Sequence, residues 1–73
     1  MRIAGEKHTA EFLPESSCVE LRGNYRLNGL VEYQPIYELL LHAANESENL
    51  TVDLRQLVFL NSSGIAMLSK FVL

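Results

Sequence analysis

Between Leu57 and Gly64 the chain changes its hydrophobic spacing, and that change limits the folds open to it more than any other feature. Leu57-Val58-Phe59-Leu60 is an unbroken apolar run of strand length, preceded by the strand-like Leu50-Thr51-Val52-Asp53-Leu54. Asn61-Ser62-Ser63-Gly64 then supplies residue types that open helices, and Ile65, Leu68, Phe71 and Val72 recur at helical spacing. A strand that passes directly into a helix needs a layered arrangement in which sheet and helix share one core.

The upstream residues supply the rest of such a layer. Thr9 to Leu13 reads as a strand, Pro14-Glu15-Ser16-Ser17 as a turn, and Cys18-Val19-Glu20-Leu21-Arg22 as a second strand with apolar and polar residues alternating. The two form an antiparallel hairpin, ended by Gly23-Asn24. A polar connection through Arg26-Leu27-Asn28-Gly29 follows. Tyr33, Ile36, Tyr37, Leu40, Leu41 and Ala44 predict a helix with one apolar stripe. Pro35 is tolerated only near a helix start, so the main helix is expected from Gln34 or Pro35, with a kinked earlier turn from Leu30 as the alternative. Asn45 to Asn49 is a polar exit loop.

With 73 residues, 48% of them apolar, the chain is one small domain with a thin stability margin. A single cysteine allows no internal disulfide, and no Cys, His and carboxylate cluster has metal-ligand spacing. Cys18 reads as a small apolar residue in a reducing compartment. The net charge of −3 argues against a nucleic-acid module, whose basic patch would meet phosphates. No apolar run approaches the roughly 20 residues of a membrane span, and Met1 to Lys7 lacks a signal-peptide core. The expectation is a cytoplasmic protein, in which the Asn-x-Ser/Thr triplets at Asn45, Asn49 and Asn61 carry no glycan.

Leu50 to Leu68, LTVDLRQLVFLNSSGIAML, resembles the signature of STAS domains, the phosphorylatable modules of bacterial anti-sigma-factor antagonists. Val52-Asp53-Leu54 is similar to the family's strand ending, Phe59 to its buried loop aromatic, and Ser62-Ser63-Gly64-Ile65 to its phosphorylation motif. Leu21-Arg22-Gly23 also resembles the family's strand that ends in glycine before the first helix. The resemblance implies an α/β fold, a small mixed sheet with helices mainly on one face. It implies a noncatalytic switch in signal transduction and transcription regulation, with no cofactor. Its partner would be an anti-sigma factor or related serine kinase that releases the protein once Ser62, or alternatively Ser63, is phosphorylated. Asn24, Asn61, Ser62, Ser63 and Gly64 would form the partner-binding surface. A complete STAS domain continues past the equivalent of Leu73, so residues 1–73 are expected to be one domain incomplete at its C-terminus, or one that covers the apolar end Phe71-Val72-Leu73 with another copy.

The chain departs from the family at two places. Asn61 stands where an acidic residue usually precedes the serines, and Asn24-Tyr25-Arg26 occupies positions that are commonly acidic. Both departures favour the alternative of a constitutive interaction module without phosphorylation. The reading as an enzyme fragment has less behind it, because no GxSxG elbow or GxxxxGK[ST] loop surrounds the serines and neither His8 nor His42 lies within motif spacing. Tyr25, Tyr33 and Tyr37 read as core or rim residues, and the glutamates as solvated surface.

Overall fold

The computed structural model describes residues 1–72, so Leu73 of the expected apolar end lies outside the described residues. The chain forms β1 (Arg2–Ala4), β2 (His8–Leu13), a short 3-10 turn (Pro14–Ser16), β3 (Cys18–Tyr25), α1 (Gly29–Glu46), β4 (Thr51–Asp53), β5 (Leu57–Leu60) and α2 (Ser62–Val72). The described residues form a mixed α/β fold with one small sheet and two helices.

β1, β2 and β3 run antiparallel in that order, with Ala10 opposite Leu21 and Phe12 opposite Val19. On its other side β3 carries two parallel strands in series: β4 beside Cys18 to Glu20, and β5 beside Gly23 to Tyr25. Both helices cover one face of this sheet. Ala10, Phe12, Val19, Leu21 and Tyr25 are buried beneath Tyr33, Ile36, Leu39, Leu40, Ala43 and Met67, while the alternating Glu11, Glu20 and Arg22 face outward. Burying these eleven side chains supplies the main drive to fold, since a fully buried aliphatic or aromatic side chain contributes about 1.5–3 kcal/mol.

Four local expectations are corrected, and one strand was not expected. β1 has no counterpart in the sequence reading, because three residues are too few to display a period. β3 runs through Gly23-Asn24 instead of ending there. Gly23 adopts φ +90°, its open α-carbon lies against the Lys7 carbonyl oxygen, and the Asn24 N–H donates to that same oxygen at 2.8 Å. The register shift at this point leaves Val58 as an extra residue on β5, a bulge. α1 begins at Gly29, ahead of the expected start at Gln34 or Pro35 and one residue before the alternative start at Leu30. Pro35 has no N–H to donate to the Val31 carbonyl, and Val31 is 87% exposed, so water can reach this turn.

The helix faces are the remaining corrections. In α1 the buried stripe is Tyr33, Ile36, Leu39, Leu40 and Ala43, with Leu41 and Ala44 exposed and Tyr37 half-buried. In α2 the buried residues are Gly64 and Met67, flanked by half-buried Leu68 and Phe71. Ile65 and Val72, expected inside, are 55% and 79% exposed. No helix among the described residues is long and apolar enough to cross a membrane.

Candidate functional site

The site grows from the β5–α2 junction. Because β3 and β5 run parallel and each feeds a helix directly, the N-termini of α1 and α2 lie side by side at the same end of the sheet. Asn61 ties this end together. Its backbone N–H donates to the Tyr25 carbonyl at 3.1 Å, fixing the junction to β3. Its Oδ1 accepts from the Gly64 N–H at 3.0 Å, which makes Asn61 the N-cap of α2. The same Oδ1 accepts from the Tyr33 hydroxyl at 2.7 Å, and Nδ2 donates to the Leu27 carbonyl at 2.8 Å. An asparagine side chain is needed for this set, since a carboxylate lacks the donor that Leu27 requires.

The two serines are in different situations. Ser63 is half-buried, and its Oγ accepts from the Gly29 N–H at 3.3 Å, so a residue of α2 caps the first turn of α1. Ser62 is exposed, and its hydroxyl makes no hydrogen bond among the described residues. It occupies the first position of α2, where unpaired N–H groups and the positive end of the helix dipole favour an anion. Glu32 completes the α1 start by accepting from the Asn28 N–H at 2.9 Å.

Gly64 is the closest point between α2 and its surroundings. A β-carbon there would stand 2.7 Å from the Tyr33 hydroxyl and closer still to Leu60 Cδ1. The Tyr33 ring packs parallel to Tyr25, with centroids 6.5 Å apart, and burial pushes both phenols above their ordinary pKa. Tyr33 was legible as an apolar stripe residue; nothing in its spacing marked its hydroxyl as a partner of Asn61 and Gly64.

Asn24 is apart from the serines. It sits on β3 opposite Phe59, in a groove shared with Lys7 and Arg26. Phe59, expected as a buried aromatic, is 38% exposed, with the Arg26 guanidinium 4.1 Å above its ring. The structure thus brings Asn61, Ser62, Ser63 and Gly64 together and leaves Asn24 one register behind them.

Other reactive groups are engaged elsewhere. His8 packs against Tyr25 and His42 against Phe12. Burial, then the nearby carboxylates of Asp53 and Glu20, push the Cys18 thiol up and keep it protonated. Arg55 hydrogen-bonds Asp53 at 2.9 Å and holds its carboxyl down at about 2. Among the described residues no group of three or more metal-ligating side chains converges. No family model, curated protein or solved structure matches this chain.

Proposed function

We propose that this chain is a noncatalytic regulatory module of the STAS type, whose output is its affinity for another protein and whose control point is Ser62. The partner is an anti-sigma-factor or serine-kinase-like regulator, and the setting is cytoplasmic. The observation that carries the reading is the contrast between the serines: Ser62 offers an exposed, uncommitted hydroxyl on a helix N-terminus, whereas Ser63 is engaged with Gly29. A phosphate on Ser62 adds roughly −1.5 to −2 charges beside two helix N-termini, where the fold can accommodate it without rearrangement. A partner docked there on apolar or acidic groups would be repelled.

A second reading, a constitutive interaction module, is favoured by Asn61. Its side chain is spent on internal hydrogen bonds, so it contributes neither charge nor a free polar group to a kinase. Mass spectrometry of the protein recovered from its own cells, with fragmentation to locate phosphate, separates the two. Phosphate on Ser62, and its loss in Ser62→Ala, is the expected result. Unmodified protein under every growth condition tested would overturn the switch and leave the constitutive module.

A further inference from the structure

Two of the chain's six basic residues, Lys7 and Arg26, have no carboxylate partner among the described residues, and both line the same groove. The others lie elsewhere: Arg22 pairs with Glu20, Arg55 with Asp53, Arg2 stands opposite Glu11 in the β1–β2 ladder, and Lys70 lies over the Tyr37 ring. The groove holds about 390 Å³ and is walled by the β1–β2 turn on one side and by the end of β3 on the other. His8, Asn24 and Leu27 complete its walls, and Glu6 is the one carboxylate on them. We infer that this groove is the docking site for an acidic segment of the partner protein, whose carboxylates meet Lys7 and Arg26.

The walls are held in place before anything binds. The Gly5 N–H donates to the His8 carbonyl at 2.9 Å, and the Asn24 N–H donates to the Lys7 carbonyl at 2.8 Å, which ties the turn to β3. The Arg26 guanidinium rests 4.1 Å from the centre of the Phe59 ring, so its charge is positioned without being neutralised. Arg22 and Arg55 donate to carboxylates, whereas the side chains of Lys7, Asn24 and Arg26 make no hydrogen bond among the described residues. Their donors are free, and a site already in place loses less on binding.

Charge complementarity chooses the occupant. The chain carries −3 overall, so an acidic segment is repelled by most of its surface and attracted only where unpaired cations gather. A nucleic-acid backbone, with its longer run of negative charge, would extend past this groove onto acidic surface. The Leu27 carbonyl accepts from Asn61 Nδ2 at 2.8 Å, which joins the groove to the residue that precedes Ser62. Seating a partner here rests on the protein-binding reading above and not on phosphorylation of Ser62.

An amide NMR titration of the unmodified chain with a hexaglutamate peptide tests this directly. Saturable shifts at residues 5–8 and 24–27 are expected, weakening as salt rises from about 0.05 to 0.5 M. Lys7→Gln and Arg26→Gln should each weaken binding about twofold to fivefold. Lys7→Glu combined with Arg26→Glu should abolish it and bind a hexalysine peptide instead. Arg22→Gln, on the outward face of β3, should bind like the parent. Thermal melts establish that each variant folds, and the single glutamine variants, at exposed positions, carry the test if the double reversal does not. No shift, shifts centred on residues 62–65, glutamine variants that bind like the parent, or an equal response to inorganic phosphate or to a single-stranded DNA oligonucleotide would each overturn the inference. Phosphate on Ser62 is measured separately, so the groove and the switch can fail independently.

Discussion

Replacing Gly64 with alanine sets two effects of opposite sign against each other. In an exposed helix the change would stabilise by about 1 kcal/mol, because glycine is the poorer helix former. At position 64 the new methyl would stand 2.7 Å from the Tyr33 hydroxyl and within the Leu60 side chain. Overpacking of this kind costs about 1–3 kcal/mol. Displacing the Tyr33 hydroxyl from Asn61 and Tyr25 adds about 1 kcal/mol. The net expectation is a loss of about 1–3 kcal/mol, which lowers the melting temperature by roughly 4–8 °C for each kcal/mol. Thermal melts of Gly64→Ala, Tyr33→Phe and the double variant measure it. Tyr33→Phe alone should cost about 1 kcal/mol, but should be neutral or stabilising in the Gly64→Ala background, because removing the hydroxyl makes room for the methyl. Gly64→Ala as stable as the parent, or costs that simply add, would refute this account of the helix contact.

Asn61→Asp, which restores the acidic residue of the resembled family, should destabilise by about 1–2 kcal/mol at neutral pH, since a carboxylate would face the Leu27 carbonyl without a donor; urea titrations at pH 7 and near pH 3 should show the penalty shrinking once the group is protonated. Tyr25 donates to the Thr9 carbonyl at 2.6 Å, and burial holds its phenol above the ordinary value. Its contribution is complete below the unfolded pKa of about 10 and is lost as pH rises toward the folded pKa, so melts should fall progressively above about pH 10. Tyr25→Phe should flatten that slope, with Tyr33 leaving a remainder. Ser62→Glu should stabilise the folded monomer by about 0.3–1 kcal/mol through the α2 dipole. Thermal melts of Ser62→Glu no higher than those of Ser62→Ala would contradict this.

The alternation in Cys18 to Arg22 and the change of period at Asn61 made the hairpin, the last strand and both helices legible, because those patterns reflect burial on one face. The phases of the helices were not. α1 carries Leu30, Val31 and Leu41 outside its core stripe, and α2 carries Ile65 and Val72, so in each helix two apolar stripes can be drawn. Packing geometry chooses between them, through contacts such as Gly64 against Tyr33 that lie 31 positions apart in sequence. At the site, the capping role of Asn61 was visible from residue type, but its bonds to Leu27 and Tyr33 depend on where the β3–α1 connection returns.

The placement of β4 and β5 along one side of β3 bears on how the molecule assembles in time. β2 and β3 meet across the short Pro14–Ser17 turn, whereas either parallel pairing must first close a loop that contains all of α1. Loop closure makes the hairpin the early event and β5 with α2 the last to dock. The reverse excursion, in which β5 and α2 detach while the hairpin and α1 persist, is then the lowest-lying partial opening, and amide exchange should be fastest at residues 57–72 among the structured segments. Ser62 sits on the part of the molecule that leaves first.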